Sequence, residues 1–342
     1  MNKKLEKLKL KKEEYRKEIL SLSKLPEKKV AYHFNCPDGL ISAALFRYLF
    51  ADMELIFIPL DYALFKDEEI MKEIADENWF AIVDLEPFNT RSSKYFFDHH
   101  ISNEGKEIHS NKIHFVSGAP STAYLIEGVF SSSIPNHLKE LVNISEITDT
   151  ASYKIPAPYD LPDNLASYSW DEKIWFVEDV CKSTFTIEEH NEILEILAFE
   201  GLEGLWKSNI IYRIKKLRQS RKDALDIAQK LEIRDFIVLI DKPLHYNIAF
   251  ISHEIQKRGA TGIAYLTVYP DEVKVSLRLN KQLSSEDVER YRVDLLAQSM
   301  SGGGHKGASG AETESLESTL EKIKSWTNEK GLQIAIYDLR EK

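Results

Sequence analysis

Between residues 28 and 118 the sequence repeats one pattern, in which a short apolar run is followed by a polar turn or a helical pattern. The apolar runs are KKVAYHF, ELIFIPL, WFAIVDL, SKYFFDHH and KIHFVSG. This alternation predicts an α/β fold with a mostly parallel sheet and helical crossovers. Because the carboxyl ends of parallel strands line one crevice, we expect the polar residues that end these runs to converge.

A second alternating segment follows a stretch, residues 187–232, whose pattern is helical throughout. Its apolar runs are FIVLI, ATGIAYLTVYP and EVKVSLRLN, and the glycine run SGGGHKG comes after them. The pattern predicts a smaller α/β domain that a helical connector joins to the first. At the amino end, leucines recur at helical spacing and stop before Pro26, which predicts an N-terminal helix.

Charge and hydropathy narrow the classes of ligand. The 342 residues include 45 Lys and Arg against 55 Asp and Glu, a formal net charge of −10. Such a surface repels long duplex nucleic acid, although a metal site can reverse the field inside one cleft and admit a short anion. No apolar stretch approaches the roughly 20 residues that span a bilayer, and the charged N-terminus lacks a signal-peptide run. We therefore expect a cytoplasmic protein without a membrane partner.

Candidate metal ligands stand at the ends of the first apolar runs. His33 and Asp38 follow the first run and Asp84 ends the third. Taken singly, Pro-Asp-Gly is an ordinary turn and Asp84 could be a helix cap. Asp98, His99 and His100 end the fourth run, where adjacent histidines point to opposite sides. One imidazole can then bind an ion while the other faces substrate, or the segment is simply a polar loop.

Asp149, in the segment TDT at the end of a helical pattern, supplies a further carboxylate. Together with His33, Asp38, Asp84 and His99 it makes a ligand set of nitrogen and oxygen atoms without a cysteine pair. This set suits two divalent ions, Mn²⁺ or Mg²⁺ before Zn²⁺. A bridging carboxylate would hold them about 3.5 to 4 Å apart, as in enzymes of in-line phosphoryl displacement.

The glycine run contains Gly303, Gly304, His305 and Lys306. Consecutive glycines let backbone N–H groups approach an anion closely, and Arg278 on a nearby strand pattern offers the planar guanidinium that binds phosphate well. A flexible loop is the alternative interpretation of the run.

The segments PDG, VDLEP, FDHH and TDT occur in the order of the four motifs of the DHH phosphoesterase superfamily, which this sequence resembles. VSLRLN followed by SGGGHKGASG is similar to the associated DHHA1 domain. The resemblance spans roughly residues 30–312 and implies a DHH catalytic domain at 28–195 and a DHHA1 substrate-binding domain at 233–342. Residues 1–27 would form the N-terminal helix and 196–232 the helical connector.

The superfamily comprises Mn²⁺-dependent phosphodiesterases and phosphatases, and the resemblance implies three sets of site residues. The metal ligands would be His33, Asp38, Asp84, His99 and Asp149, with Asp84 as the bridge. The catalytic residues would be Asp98 and His100, with His100 facing the phosphate. The substrate-binding residues would be Arg278, Gly303, Gly304 and His305.

Cys36 departs from the family pattern, because most members carry two aspartates in the first motif and Cys36 occupies the place of the first. Three alternatives follow: Cys36 is a soft substitute ligand, Asn35 compensates, or one ion binds weakly. We favour weaker binding, since a neutral thiol is a poor ligand for Mn²⁺.

The sequence thus predicts a Mn²⁺-dependent phosphoesterase that hydrolyses short oligonucleotides, dinucleotides or nucleotide phosphates by metal-activated water. Oligonucleotides of about two to five units rank first because the chain is acidic; linear or cyclic dinucleotides and pAp follow, and pyrophosphate is third. The alternative is a catalytically impaired nucleotide-binding or scaffold protein, which Cys36 would support. A homodimer is a possible assembly.

Overall fold

The computed structural model describes residues 2–26, 28–60, 64–88, 92–243 and 248–340. The chain divides into two compact units, residues 1–217 and 218–342, and the division falls within one long helix. Each unit has its own sheet and its own apolar clusters. The predicted α/β class, with a parallel-sheet domain and a second α/β domain, is confirmed.

The first unit has a five-stranded parallel sheet. Its strands are β1 (Lys28–His33), β2 (Leu55–Leu60), β3 (Asn78–Val83), β4 (Ser92–Asp98) and β5 (Ser110–Phe115). Its described helices are α1 (Asn2–Ser23), α2 (Pro37–Leu49), α3 (Glu68–Ala75), α4 (Thr122–Phe130), α5 (Asn136–Asp149), α6 (Trp170–Lys182), α7 (Ile187–Phe199), α8 (Gly201–Lys207) and α9 (Ile210–Lys230), which continues into the second unit.

Apolar side chains cover both faces of this sheet, which explains why its strands are continuous apolar runs. Val30 and Tyr32 of β1 pack into one cluster with Phe46 of α2, while Ala31 between them packs into the other. The strand order is β2-β1-β3-β4-β5, so the chain changes direction across the sheet at β1. In such sheets, ligands bind at the carboxyl ends of the strands beside this switch point.

The second unit has a six-stranded mixed sheet in the order β11-β6-β7-β8-β10-β9. The strands are β6 (Phe236–Asp241), β7 (Gly262–Val268), β8 (Val273–Leu279), β9 (Gly303–His305), β10 (Ala308–Thr313) and β11 (Ile334–Asp338). The described helices that follow α9 are α10 (Ile248–Lys257), α11 (Ser285–Tyr291), α12 (Val293–Ser299) and α13 (Leu316–Lys330).

The glycine run, for which a flexible loop was the alternative, contains a strand: β9 pairs antiparallel with β10. The predicted N-terminal helix is α1, which ends before Pro26. Within the described residues, no helix combines the length and the apolarity needed to cross a bilayer.

Candidate metal centre

The polar residues that end three neighbouring strands of the first sheet lie together at its carboxyl edge. His33 is the last residue of β1, Asp84 directly follows β3, and Asp98 is the last residue of β4. Asp38 enters the same place from the first turn of α2. Asp149, the last residue of α5, completes the group, with its Oδ2 atom 3.4 Å from Nε2 of His99.

Asp84 is fully buried and has a positive φ of 55°. Aspartate tolerates this left-handed conformation better than most residues, and its occurrence here marks a backbone that the surroundings hold in place. The N–H of Asp84 donates to the carbonyl of Phe97 on β4 at 3.0 Å. The turn after β3 therefore has a fixed direction, and the Asp84 carboxylate is aimed along the sheet edge.

The two oxygens of Asp84 face two different groups of side chains. Oδ2 lies 3.1 Å from Sγ of Cys36 and 3.4 Å from Nδ1 of His33. Oδ1 lies 3.7 Å from Nε2 of His99 and 3.9 Å from Nδ1 of His100. A carboxylate with ligand-type atoms on both sides has the arrangement that a bridging ligand needs.

His99 is held so that one ring nitrogen presents a lone pair to a cluster of carboxylates. Its Nδ1 atom lies 2.7 Å from the carbonyl oxygen of Ala119, so Nδ1 carries the proton. Nε2 is buried and has no hydrogen-bond partner among the described residues. It lies 3.5 Å from Asp38 Oδ2, 3.7 Å from Asp84 Oδ1 and 3.4 Å from Asp149 Oδ2. Lone pairs that face one another in this way fit a cation between them.

Asp38 is anchored by the beginning of α4. Its fully buried carboxylate accepts hydrogen bonds from the backbone N–H groups of Thr122, at 2.7 Å, and Ala123, at 2.9 Å. These are among the helix N–H groups that have no partner within the helix. Burial, together with the neighbouring Asp84, raises the pKa of Asp38 well above its usual value.

His100 forms a pair with Asp98. Its Nδ1 atom lies 2.7 Å from Oδ1 of Asp98, and Nδ2 of Asn103 donates to the other carboxylate oxygen at 2.9 Å. The hydrogen bond to Asp98, partly opposed by burial, raises the pKa of His100 to about 9. Asp98 is fully buried, whereas 29% of the His100 side chain is exposed, so the imidazole lies at the mouth of the site.

The close approach of α2 to the end of β1 requires a glycine at position 39. A Cβ atom there would lie 1.9 Å from the carbonyl oxygen of His33 and 2.9 Å from Oδ2 of Asp84. Contacts this short are forbidden, so any larger residue would have to displace β1 or Asp84. The PDG segment is therefore more than a turn, because its glycine lets α2 lie close to the end of β1 and to the carboxylate of Asp84.

The ligand-type atoms form three overlapping groups, each with its atoms within 4.8 Å of one another. The groups are His33, Cys36 and Asp84; Asp84, His99 and His100; and Asp38, His99 and Asp149. In the described part of the chain, no Lys or Arg forms an ion pair with Asp38, Asp84 or Asp149. Carboxylates without such a partner, two of them fully buried, beside imidazole nitrogens fit divalent cations.

The four predicted substrate-binding residues form a second group, within the other unit. Arg278 of β8 and His305 of β9 both stand directly opposite Ala308 of β10. Residues opposite one another in a sheet share a face, so the guanidinium and the imidazole flank a small residue. Arg278, Gly303, Gly304 and His305 are all exposed.

Sequence reasoning missed three residues that hold the centre in place: Thr122, Ala119 and Asn103. The hydroxyl of Thr122 donates to Oδ1 of Asp84 at 3.1 Å, in addition to the backbone contact with Asp38. One signal was present, because the pattern SGAP before Ser121 predicts a helix N-cap, and Ser121 does cap α4. A helix beginning is a common partner of carboxylates.

No protein-family model and no curated protein sequence matches this chain. The structure is similar to that of a pGpG-specific phosphodiesterase, PggH from Vibrio cholerae, with a TM-score of 0.63, 13% identity, and coverage of 89% of this chain and 99% of that one. It is similar to exonuclease RecJ bound to manganese, with a TM-score of 0.56, 14% identity, and coverage of 93% and 94%.

CDC45 from Entamoeba histolytica is also similar, with a TM-score of 0.55, 8% identity, and coverage of 93% of this chain and 98% of that one. Because these identities are low, the likenesses show the fold alone. The chain shares the fold of these structures, and that fold agrees with the one that the four motifs and their order predict.

Proposed function

We propose that this chain is a phosphoesterase that depends on divalent metal ions and hydrolyses short oligonucleotides or dinucleotides. The observation that carries the proposal is the two-sided environment of Asp84, whose oxygens face His33 and Cys36 on one side and His99 on the other. His33, Asp38, Asp84, His99 and Asp149 would be the ligands. Nitrogen and oxygen donors with three carboxylates favour Mn²⁺, with Mg²⁺ as the second choice.

When bound, two such ions supply an activated water and neutralise the charge that develops on the phosphoryl group. The protein's own part is positioning. The backbone N–H groups at the start of α4 fix the carboxylate of Asp38, and the carbonyl of Ala119 fixes the ring of His99. These supports keep the ligands in place before substrate arrives, so that little reorganisation is needed during the reaction.

Asp98 and His100 act on the substrate side in this proposal. Asp98 accepts the hydrogen bond of the Nδ1–H group of His100. This bond fixes the orientation of the ring and leaves its Nε2 atom available to the substrate. From there His100 contacts a phosphate oxygen or donates a proton to the leaving oxygen. Because half-exposed His100 lies at the mouth of the site, it can meet a phosphate group that approaches from solvent.

Three observations support a short substrate. The net charge of −10 disfavours long polyanions. The similar proteins include one named as a pGpG-specific phosphodiesterase and one named as an exonuclease. Arg278 and His305, on one face of the second sheet, are suited to hold a phosphate or a terminal nucleotide. We rank oligonucleotides of about two to five units first, then linear or cyclic dinucleotides and pAp.

The experiment is a substrate panel at fixed Mn²⁺, covering pAp, pGpG, cyclic di-AMP, and RNA and DNA of increasing length. We expect turnover of at least one short substrate, loss of turnover in excess chelator, and recovery when Mn²⁺ is restored. The matched control is Asp84→Asn, which keeps the size of the side chain and removes its charge. Turnover that persists in excess chelator, or in Asp84→Asn, would refute a metal phosphoesterase centred on Asp84.

Cys36 favours a second candidate, a catalytically impaired nucleotide-binding or scaffold protein, because it stands where most superfamily members carry an aspartate. This candidate predicts that the panel gives no turnover with any divalent ion while nucleotides still bind. Equilibrium binding of pGpG and pAp, measured beside the panel, separates the two candidates.

A further inference from the structure

Cys36 is placed at the metal centre by the way the chain passes from β1 into α2. It is the N-cap residue of α2, and its Sγ atom accepts a hydrogen bond from the N–H of Gly39 at 3.3 Å. Pro37, the first residue of the helix, fixes the backbone just after it. The sulfur is therefore held at the helix beginning. Burial and the neighbouring carboxylates of Asp84 and Asp38 raise the pKa of the thiol well above its usual value, so it loses its proton only when a cation binds.

The sulfur has two further neighbours, both ligand-type atoms. It lies 3.1 Å from Oδ2 of Asp84, and the same oxygen lies 3.4 Å from Nδ1 of His33. The three atoms all lie within 4.8 Å of one another. Ligand atoms around one tetrahedral ion lie about 3.3 to 3.7 Å apart, given bond lengths of roughly 2.0 to 2.3 Å. The distance from Asp84 to His33 lies in this range. The distance from Asp84 to Cys36 is shorter because the thiol donates a hydrogen bond to the carboxylate, a bond that a shared ion would replace.

The two sides of the centre differ in chemistry. The His33, Cys36 and Asp84 side offers one nitrogen, one sulfur and one oxygen atom, whereas the Asp38, His99 and Asp149 side offers one nitrogen and two oxygens. Thiolate selects Zn²⁺, Co²⁺ or Fe²⁺ over Mn²⁺ and Mg²⁺, and carboxylates accept the harder ions. The two sides of such a centre would therefore prefer different metal ions.

We propose that Cys36 is a metal ligand and that the His33, Cys36 and Asp84 side takes a softer divalent ion than the Asp38, His99 and Asp149 side. The inference rests on the metal centre of the proposed function. Of the three alternatives that the sequence leaves open, the contact of Cys36 with Asp84 and the convergence on His33 favour the substitute ligand. Weak binding of Mn²⁺ on this side follows from the same chemistry, because sulfur is a poor partner for that ion.

The test is spectroscopic and needs no activity. Metal-free protein is titrated with Co²⁺, which produces a near-ultraviolet charge-transfer absorption when a thiolate binds it. We expect this absorption in the wild type and its loss in Cys36→Ser, which keeps the size and shape of the side chain. The matched control is Cys181→Ser, since Cys181 is the other cysteine of the chain and is buried in the core on α6; it should keep the absorption.

Metal preference gives a second readout. Calorimetric titration should show that the wild type binds one equivalent of Zn²⁺ at least about tenfold more tightly than Mn²⁺. Cys36→Asp should narrow this preference by restoring an oxygen ligand and raising the affinity for Mn²⁺. Because aspartate and serine are both good N-cap residues, Cys36→Asp and Cys36→Ser should both keep the cap of α2.

Three results would overturn the inference: no thiolate absorption with Co²⁺ in the wild type, the same absorption in Cys36→Ser, or equal affinities of the wild type and Cys36→Asp for Mn²⁺. The outcomes also separate this inference from the proposed function. Turnover of a dinucleotide without a thiolate signal would refute only the role of Cys36. A thiolate signal without turnover of any substrate in the panel would refute the phosphoesterase and leave Cys36 a ligand.

Discussion

The hydroxyl of Thr122 donates a hydrogen bond to Oδ1 of Asp84 at 3.1 Å, inside a fully buried environment. The backbone N–H of the same residue donates to Asp38 at 2.7 Å. One residue at the start of α4 thus holds two carboxylates that come from two other elements. Its hydroxyl and its N–H set the distance between the two sides of the centre.

Thr122→Val removes the hydroxyl and keeps the shape of the side chain. Metal affinity should fall by about 10- to 100-fold, the usual effect of losing a hydrogen bond that orients a ligand. Calorimetric titration with Mn²⁺ measures it. Thr122→Ser, which keeps the hydroxyl, should retain most of the affinity. An equal loss in both variants would mean that the packing of the whole side chain, not the hydrogen bond, matters.

Asp84→Ala should be the most damaging single change at the centre. Asp84 belongs to two of the three groups of ligand-type atoms, whereas Asp149 belongs to one. We expect kcat/KM to fall by at least about 1,000-fold and both ions to bind weakly. Metal analysis of the purified variant, beside Asp149→Ala, is the measurement. If Asp84→Ala retained two tightly bound ions, the bridging role would be wrong.

Gly39→Ala should destabilise the first unit even without metal. The added Cβ would meet the carbonyl oxygen of His33 at 1.9 Å, and backbone atoms cannot move aside cheaply. We expect the free energy of unfolding to fall by at least about 2 kcal/mol. The matched control is Gly128→Ala in α4, where a Cβ meets nothing within 4 Å and an alanine should stabilise the helix by about 0.5 to 1 kcal/mol. Urea unfolding of both variants in chelator tests the pair.

The sequence predicted the strands of the first sheet because each is a buried parallel strand, which leaves a continuous apolar run. For the same reason the convergence of His33, Asp84 and Asp98 could be expected, since all three follow adjacent strands. The contributions of Ala119 and Thr122 could not be read from a pattern. They depend on where α4 begins in space relative to β4, and a carbonyl oxygen or a helix N–H group has no side-chain signature.

In the second unit, too, some features could not be predicted from local sequence. Glycine runs are typical of loops, yet β9 pairs with β10, because β10 offers a partner that local sequence does not reveal. The placement of Arg278 and His305 opposite the same alanine is a matter of register, and register is set by pairing across the sheet.

Arg278→Ala should lower kcat/KM for dinucleotides by about 10- to 100-fold, since an Arg–phosphate contact contributes roughly 1.4 to 2.7 kcal/mol. Metal content should not change. The matched control is Lys274→Ala on the same strand, because Lys274 is an exposed cation that already pairs with Glu312. A small chromogenic phosphodiester, which lacks the second nucleotide, should lose much less. An equal loss on both substrates would assign Arg278 to the fold instead.

His190 in α7 is a buried histidine whose protonation should lower the stability of the protein in acid. Only 1% of His190 is exposed, and its ring lies 4.6 Å from the ring of Phe34. In the part of the chain that the structure describes, its Nε2 atom has no hydrogen-bond partner. Burial lowers the pKa of His190 to about 4, against about 6.5 in the unfolded chain. The unfolded state therefore binds the proton more readily.

The contribution of His190 to stability is complete above about pH 6.5 and is lost as the pH falls from there toward 4. Between pH 7 and pH 5 the loss from this one group should be about 2 kcal/mol. Urea unfolding of the wild type and of His190→Gln at both values measures it, because other titrating groups contribute equally to both proteins. When the pH falls from 7 to 5, the free energy of unfolding of the wild type should therefore decrease by that amount more than that of the variant. A difference that does not move with pH would mean that His190 takes up a proton in the folded state as easily as in the unfolded one.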